Sequence, residues 1–260
     1  MSDPVLLEID GRVATVTLNA PEKRNAMSPE MTEAFPRVLQ EVAQADDVRA
    51  VIVTGTGSAF CAGGDLGFLH SGEPDVVTIR EKMTGFYPRY LSLLDLDIPT
   101  VAAVNGPAIG AGFCLALMCD LRIASTDAPM SMPFVRIGIH PGMAATALLS
   151  RVVGQTTAAD LLYTGRAVRG EEAERLGIVN RAVPPNEVMT AARDLAEQVA
   201  VNAPIALRYV KQGLRAAFRR ELDQATAWEG FAQPVTMATD DVREGLAAVR
   251  ERRDPHFRGR

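Results

Sequence analysis

The sequence predicts an α/β protein in which strands come early and helices come late. Three observations support this prediction. Short apolar runs alternate with glycine-rich loops through the first half of the chain, apolar residues recur at helical spacing through the second half, and 47% of the 260 residues are hydrophobic. A chain of this length and composition buries a sizeable core. We therefore expect one large domain, or one domain with a small appendage.

The chain is predicted to open with a β-hairpin followed by a helix. The segments VLLEID and RVATVTLN flank Asp10-Gly11, a dipeptide that supplies the positive φ of a two-residue turn. Ser28-Pro29 then gives an N-cap followed by proline at the first helical position. The apolar residues after it recur at helical spacing: Met31, Phe35, Val38, Leu39 and Val42.

Two units of strand, glycine loop and helix follow. Residues 49–54 (RAVIVT) form an apolar strand, and the loop at 55–64 leads to Asp65, a good N-cap for a further helix. Residues 100–104 form the second strand, NGPAIGAG is its loop, and a helix is predicted over 113–119. Either loop alone is typical of a tight turn. Two such loops before helices favour exposed N–H groups that receive developing negative charge.

The second half is predicted to be mostly helical. Residues 121–124 form one more strand-like run, and the segment MSMPF at 130–134 precedes a loop that contains the motif HPGM. After that loop the apolar spacing is helical. The predicted helices cover residues 144–153, 157–163, 171–176, 187–201, 205–220, 222–231 and 239–252.

Charge and composition argue against several classes of protein. A formal net charge of -5 is unlike a general nucleic-acid binder, because phosphate backbones are held by a clustered excess of Lys and Arg. The acidic N-terminus lacks the pattern of a secretory signal, and no apolar run approaches the roughly 20 residues that span a bilayer. Cys61, Cys114 and Cys119 lack the spacing of a disulfide framework or a zinc site. We expect a cytoplasmic protein without a bound metal, nucleic acid or membrane.

The two glycine loops resemble those of dinucleotide-binding proteins, but the GxGxxG fingerprint fails in both. Phe60 stands where the third glycine belongs in the first loop, and Leu115 stands there in the second. The sequence also lacks GxxxxGK[ST], GxSxG and HExxH. A nicotinamide dehydrogenase is therefore an alternative that only saturable NAD binding would revive.

Several motifs together resemble the crotonase superfamily, which includes enoyl-CoA hydratases and isomerases. The motifs are PEKRNAMSPEM, VIVTGTGSAFCAGGDL, PTVAAVNGPAIGAGFCLALMCDLRIAS, HPGM, LLYTGRAV, AERLGIVNRAV and DVREGLAAVRERRDPHFRGR. The resemblance extends from residue 5 to the C-terminus. The resemblance implies a spiral core of ββα units, at 1–200, and a helical C-terminal trimerisation region, at 201–260. It also implies an acyl-CoA thioester as ligand, with coenzyme A as part of the substrate and no separate cofactor.

The same resemblance implies a homotrimer or hexamer. Apolar residues of the C-terminal region support this expectation, because a lone subunit would partly expose them. They include Trp228, Phe231, Val235 and Met237.

The resemblance assigns an oxyanion hole to two backbone N–H groups, those of Gly64 in AGGD and Ala111 in IGAGF. Lys23 and Arg24 are expected near CoA phosphates, although both are equally typical of a solvated surface. Asp65 is typical of a helix cap. The full set of positions expected around CoA is Lys23, Arg24, Ala26, Ala62 and Asp65, with Phe257 and Arg258 as a C-terminal pair that reaches the nucleotide.

Three positions depart from the family pattern where chemistry is expected. Hydratases of the family use two glutamates to position and activate a water, and these positions are Cys114 and Phe134 here. A third acidic position, used by some isomerases, is Gly142 here. Phenylalanine and glycine exchange no proton, and a thiol is a poor substitute unless its pKa is lowered. We therefore expect Cys114 and Phe134 to contact the substrate without performing the two-glutamate reaction.

Several other residues have two open interpretations. Met130, Met132 and Phe134 alternate with a period of two, so an extended segment would point all three one way, into an acyl pocket or into the core. His140 is the candidate catalytic acid or base, or else a structural loop residue. His70 has the same two interpretations. By resemblance, three residues that the sequence does not rank border the acyl group: Glu81, Tyr87 and Tyr90.

The sequence thus supports two functions. The favoured hypothesis is an enzyme of the hydratase/isomerase class that processes an acyl-CoA or enoyl-CoA through an enolate-like thioester oxygen held by Gly64 and Ala111. The alternative is an acyl-CoA-binding protein that keeps the pocket and has lost the acid–base groups. Both functions need the intact loops, so turnover of acyl-CoAs separates them.

Overall fold

The computed structural model describes residues 3–65 and 75–260 and places a six-stranded sheet at the centre of the molecule. The strands are β1 (Val5–Asp10), β2 (Val13–Leu18), β3 (Ala50–Gly55), β4 (Thr100–Val104), β5 (Ala108–Ile109), β6 (Leu121–Ser125), β7 (Met130–Ser131) and β8 (Arg181–Val183). The helices of the described residues are α1 (Pro29–Gln44), α2 (Val76–Leu91), α3 (Ala111–Met118), α4 (Ala145–Thr164), α5 (Gly170–Arg175), α6 (Val188–Ala200), α7 (Pro204–Met237) and α8 (Asp240–Glu251). Short 3-10 turns cover Pro21–Lys23, Ser92–Asp95, Phe134–Ile137 and Pro185–Glu187.

The large sheet has the strand order β1-β2-β3-β4-β6-β8. Strands β1 and β2 are antiparallel, and the later neighbours are parallel. The predicted hairpin is confirmed: Asp10 pairs with Val13, so Gly11 and Arg12 form the turn, and Gly11 has a φ of 57°. The strands predicted at 49–54, 100–104 and 121–124 are confirmed as β3, β4 and β6. A separate parallel pair joins β5 to β7.

The middle strands of the large sheet are buried on both faces. In β3, Ala50 and Ile52 belong to a cluster with apolar residues of α6, whereas Val51 and Val53 belong to the larger core on the opposite face. A parallel sheet covered on both faces reads as a continuous apolar run rather than an alternating one. This explains why RAVIVT shows no polar face.

The structure confirms one predicted helix break and corrects another. The helices expected at 144–153 and 157–163 both occur within α4, which is broken between them at Gly154, whose φ and ψ of 77° and 160° are non-helical. The helices expected at 205–220 and 222–231 are one helix of 34 residues, α7. Glutamate between them is a good helix former and gives no reason to stop. Strand β8 was not predicted, because at 3 residues it is too short to show a period.

The C-terminal helices pack on the core and complete the cavity described below. Helix α7 packs against α2 and α4, and α8 packs against the 3-10 turn at Phe134–Ile137. A side chain on Gly245 would lie 2.6 Å from the Ile137 backbone, so this close approach requires glycine. The predicted division after residue 200 falls just before α7 and stays a prediction. Within the described ranges, no helix is long and apolar enough to cross a membrane.

Candidate active site

A cavity of about 410 Å³ lies where the two glycine loops meet helices α2, α7 and α8. The first loop contributes Ala62, Gly63 and Gly64 to its lining, and the second contributes Ile109, Gly110 and Ala111. Much of the remaining lining is apolar and comes from Met83, Phe86, Phe134, Ile137, Ile139, Met143 and Met237. The two loops that the sequence singled out therefore open into one cavity.

The first loop is fixed against the segment that precedes α1. Met27 N–H donates to Gly63 O at 2.8 Å, and Asp65 N–H donates to Met27 O at 3.4 Å. These bonds form a parallel bridge between Met27 and Gly64. The N–H of Gly64 itself donates no hydrogen bond within residues 3–65 and 75–260.

The second loop ends at Ala111, the first residue of α3. Gly110 precedes it with φ 55° and ψ -120°, a conformation that glycine adopts readily. Gly110 N–H donates to Ser131 O at 2.8 Å, which anchors the loop on β7. The N–H of Ala111 has no intrahelical partner because it starts the helix. Among the described residues it donates no other hydrogen bond.

Direct contact between the loops brings the two amides together. Ile109 N–H donates to Cys61 O at 3.0 Å. A side chain on Gly63 would lie 3.5 Å from Ala111 N, and one on Gly112 would overlap Cys61 O. Glycine therefore permits the close approach of α3 to the first loop. Two N–H groups on contacting loops, without partners among the described residues and in a largely apolar cavity, can hold an oxyanion.

The positions that depart from the family pattern lie around the same part of the cavity. Cys114 is fully buried, does not line the cavity, and donates its thiol to Gly142 O at 3.6 Å. Burial, and then the nearby Glu229 carboxyl, raises the pKa of this thiol well above its usual range. Phe134 does line the cavity. Cys114 thus lies behind the cavity, a placement that does not support its expected contact with substrate.

The expectation that Met130, Met132 and Phe134 point one way is wrong. Extended backbone ends at Ser131, Pro133 has φ -80° and ψ 29°, and a 3-10 turn begins at Phe134. The two methionines are 0% and 1% exposed and belong to the core. Met132 is absent from the cavity lining, so its expected substrate contact has no support from the geometry.

His140 also lies outside the cavity lining. Its ring Nδ1 is 2.6 Å from Pro141 O, and its backbone N–H donates to Thr236 Oγ1 at 2.9 Å. The ring meets that of Trp228 edge-on, with centroids 6.4 Å apart. These contacts favour the structural interpretation of His140. His70, the other histidine considered, lies outside the described residues.

Most positions expected around CoA lie beside the first loop. Ala62 N–H donates to Arg24 O at 3.0 Å, and Lys23 Nζ lies 3.9 Å from the Asp65 carboxylate. Ala26 N–H donates to Lys23 O at 3.1 Å, which closes the turn. The structure thus brings these five residues together. The helix that Asp65 was expected to cap lies outside the described residues.

Phe257 and Arg258 lie elsewhere on this chain. Arg258 N–H donates to the Asp241 carboxylate at 2.7 Å, which holds the C-terminal segment against the start of α8. Phe257 is 42% exposed. Neither residue lines the cavity. Their contact with a nucleotide stays a prediction.

Asn25, a residue of the PEKRNA motif that was not predicted to matter, is fully buried. Its Oδ1 accepts from Ala20 N–H at 2.9 Å, and its Nδ2 donates to Thr56 O at 3.0 Å and Ala59 O at 2.8 Å. Asn25 therefore joins the CoA-side turn to the first glycine loop. Its place between two charged residues and an alanine gave no signal of burial.

A buried polar cluster beside the cavity contains Tyr87, which was expected near the acyl group, and two residues that the sequence did not single out, Gln233 and Glu229. The Tyr87 hydroxyl donates to Gln233 Oε1, and Gln233 Nε2 donates to His140 O at 3.1 Å. Glu229 is fully buried, and its Oε1 accepts from Thr146 N–H at 2.9 Å and Thr146 Oγ1 at 2.6 Å. Burial raises the pKa of Glu229 to about 7, against the opposing effect of these bonds. In the sequence of α7, Glu229 and Gln233 look like surface polar residues. They are buried only because α7 packs against α2 and α4.

Comparison with known proteins gives a consistent result over the whole chain. The family model described as Enoyl-CoA hydratase/isomerase matches residues 8–260. A short-chain-enoyl-CoA hydratase of Clostridium acetobutylicum is 37% identical over 252 residues, covering 96% of this chain and 95% of that protein. A putative enoyl-CoA hydratase of Thermus thermophilus is 41% identical over 254 residues, covering 95% of this chain and 98% of that protein.

The solved structures agree with the sequence relatives. The crystal structure of an enoyl-CoA hydratase/isomerase from Pseudoalteromonas atlantica matches with a TM-score of 0.86 and 33% identity, covering 98% of this chain and 100% of that one. The predicted α/β crotonase fold is thereby confirmed. This chain belongs to the enoyl-CoA hydratase/isomerase family of enzymes.

Proposed function

We propose that this protein processes an acyl-CoA or enoyl-CoA whose thioester oxygen is held by the N–H groups of Gly64 and Ala111. One observation carries the proposal: Gly64 and Ala111, whose N–H groups have no partner among the described residues, line a single cavity. Each donor of such a hole lowers the barrier by roughly 3 to 4 kcal/mol. Two donors therefore favour an enolate-like oxygen and acidify the α-carbon of the acyl group.

The CoA part of the ligand is assigned to the surface beside the first loop. Lys23 and Arg24 supply positive charge for phosphate groups, and the turn that carries them is bonded to the segment of Ala62. Ala26 and Asp65 complete this surface, and Phe257 and Arg258 are proposed to reach the nucleotide. The relatives named above as enoyl-CoA hydratases support a CoA thioester as ligand.

Water addition by two glutamates is not part of the proposal. Cys114 is buried and its thiol has a raised pKa, and Phe134 carries no proton. We therefore expect crotonyl-CoA hydration to be slower by a factor of about 10² to 10⁴ than in a relative that keeps both glutamates. His140 stays a candidate acid or base on the sequence resemblance alone.

A catalytically silent acyl-CoA-binding protein is the second candidate. It is favoured by the chemistry of the described lining, in which the buried side chains include no carboxylate, histidine or lysine. The two candidates share the binding site and differ in turnover.

The proposed function is tested by combining acyl-CoA binding, a turnover screen and the variant Ala111→Pro. Proline at the first helical position is tolerated; it removes the N–H group and places its ring Cδ where that hydrogen points. Wild-type protein and the variant are both expected to be stabilised thermally by short-chain acyl-CoAs. Turnover of the best substrate should fall about 10²- to 10³-fold in the variant.

Each failure of this test has a distinct meaning. No thermal shift with CoA or with short, medium and long acyl-CoAs would contradict the site assignment. Binding without turnover over the whole screen would favour the silent binder. Unchanged turnover in Ala111→Pro would remove Ala111 from the oxyanion hole, and crotonyl-CoA hydration at a normal enzymatic rate would show that a catalytic acid has been overlooked.

A further inference from the structure

The turn at residues 20–25 and the first glycine loop serve opposite ends of the proposed ligand. The turn carries Lys23 and Arg24, which are assigned to the CoA phosphates, and the loop carries Gly64, which is assigned to the thioester oxygen. These contacts are far apart along a CoA thioester. The structure nevertheless joins the turn and the loop through one fully buried side chain, that of Asn25.

The Asn25 amide bonds the turn and the loop at once. Its Oδ1 accepts the N–H of Ala20, which closes the turn. Its Nδ2 donates to Thr56 O at 3.0 Å and to Ala59 O at 2.8 Å in the loop. An amide side chain has one accepting oxygen and two N–H donors. All of these groups are therefore used to hold backbone in place, so the role of Asn25 is to position other residues.

The backbone of the turn has a conformation that needs this support. Arg24 and Asn25 have φ of 52° and 56°, in the left-handed region that side chains other than glycine adopt at a cost. Asparagine tolerates this region better than most residues, whereas arginine does not. The Asn25 N–H also donates to Ala20 O at 2.9 Å. Asn25 thus bonds Ala20 twice and keeps Arg24 in its unfavourable conformation.

Further hydrogen bonds continue from the turn along the loop towards Gly64. The N–H of Ala62 donates to Arg24 O at 3.0 Å, and the Cys61 thiol donates to Asn25 O at 3.0 Å. Burial raises the pKa of this thiol to about 12, so the thiol keeps the proton that it donates. The parallel bridge at Gly64 extends the same pairing. The turn is therefore bonded to the loop almost continuously as far as the proposed oxyanion hole.

We propose that Asn25 is a positioning residue that couples the phosphate contacts of the turn to the N–H of Gly64. Binding of the CoA phosphates fixes the turn, and the bonds of Asn25 then fix the loop. Binding energy from a remote part of the ligand is thereby used where the thioester oxygen is held. A contiguous set of bonds gives this coupling a physical carrier. The inference rests on the acyl-CoA function proposed for this cavity.

The proposal is tested with the variant Asn25→Asp and with two ligands, butyryl-CoA and butyryl-pantetheine, which lacks the nucleotide and its phosphates. Aspartate keeps an oxygen for the N–H of Ala20 but replaces the donor to the loop by a second acceptor. It also tolerates a positive φ. Isotope-edited infrared spectra measure the thioester C=O stretch of the bound ligand, whose frequency falls as hydrogen bonds to its oxygen strengthen. Spectra at saturating ligand are insensitive to a weaker Kd.

In the wild-type protein, binding should lower the C=O frequency about twice as much for butyryl-CoA as for butyryl-pantetheine, because only the former holds the turn. In Asn25→Asp both ligands should show the same, smaller shift. Asn105→Asp is the matched control. Asn105 Nδ2 donates to the same loop, at Gly55 O (2.8 Å) and Gly57 O (3.0 Å), and among the described residues it bonds no part of the turn. This variant should keep the difference between the ligands.

A second variant, Asn25→Gly, covers the case in which a buried aspartate prevents folding. Glycine adopts the positive φ readily and removes the side-chain bonds on both sides of the link, so this variant should also lose the difference. Equal, non-zero shifts for both ligands in the wild-type protein overturn the proposal. A difference that survives in either Asn25 variant, or that Asn105→Asp abolishes as well, also overturns it. Bound butyryl-CoA without any shift in the wild-type protein would contradict the oxyanion hole itself, and with it the proposed function.

Discussion

Glu229 accepts two hydrogen bonds that hold the start of α4, but its burial disfavours its charged form. Its Oε1 accepts both protons that Thr146 offers in the first turn of α4, where the helix dipole favours negative charge. Burial outweighs these contacts and raises the pKa of the carboxyl group to about 7. Burial, and then the Glu229 carboxyl, raises the pKa of Tyr87 of α2 and of Cys114 of α3, so both stay neutral.

Because the pKa of Glu229 is raised, we predict that the free energy of unfolding falls as the pH rises and this carboxyl group ionises. The ordinary pKa of 4.5 applies to the unfolded chain, and about 7 applies to the folded one. The folded state therefore holds the proton more tightly, and its stabilisation is complete below 4.5 and is lost as the pH rises to about 7. Between pH 5 and pH 8 this component amounts to roughly 2 to 3 kcal/mol.

The neutral variant Glu229→Gln isolates this component. Urea unfolding of both proteins at pH 5 and pH 8 measures it, and the variant should gain roughly 2 to 3 kcal/mol on the wild type over that interval. Glu221→Gln, in the same helix at an exposed position, should show little change. If Glu229→Gln and the wild type keep a constant difference in free energy of unfolding at both pH values, the raised pKa is wrong.

At the scale of elements, local signals predicted most of the sheet and both loops. The hairpin turn, the N-cap at Ser28 and the strand at 100–104 depend on neighbours in sequence, and all three occur in the structure. The break predicted between 153 and 157 occurs at Gly154, where a positive φ interrupts α4, whereas the break expected at 221 is absent because Glu221 continues the helix. Pro133 was a visible sign that the extended segment ends, since proline cannot continue a central strand.

In the candidate site, too, features set by local sequence were predictable and contacts between distant residues were not. The two glycine loops that open into one cavity were predictable because each is a local motif of the sequence. The Tyr87–Gln233 bond joins residues 146 positions apart, and only the packing of α7 on α2 creates it. His140 was expected near the chemistry from its motif, yet its backbone and ring are tied to Thr236 and Pro141.

At the scale of the whole molecule, α7 exposes an apolar surface that a single chain leaves uncovered. Trp228, Phe231 and Val235 are 58%, 57% and 43% exposed, as expected from the sequence. Met237 departs from that expectation, because it is 3% exposed and lines the cavity. An apolar surface of this kind favours association.

We predict a trimer or hexamer at micromolar concentration, measured by sedimentation velocity. Trp228→Asp/Phe231→Asp should dissociate it, because burying two carboxylates in an apolar contact is costly. Tyr163→Asp, at an 80% exposed position of α4, is the control and should leave the assembly intact. A wild-type protein that sediments as a monomer would contradict the assignment of the C-terminal region as an assembly surface.

We expect two backbone amides to hold the thioester oxygen of an acyl-CoA. A crystal structure of the protein with a bound, non-reacting acyl-CoA such as butyryl-CoA would show this contact. The thioester oxygen should lie about 2.7 to 3.2 Å from both Gly64 N and Ala111 N. A thioester oxygen bonded to a side chain instead, and beyond hydrogen-bond distance of both amides, would contradict it.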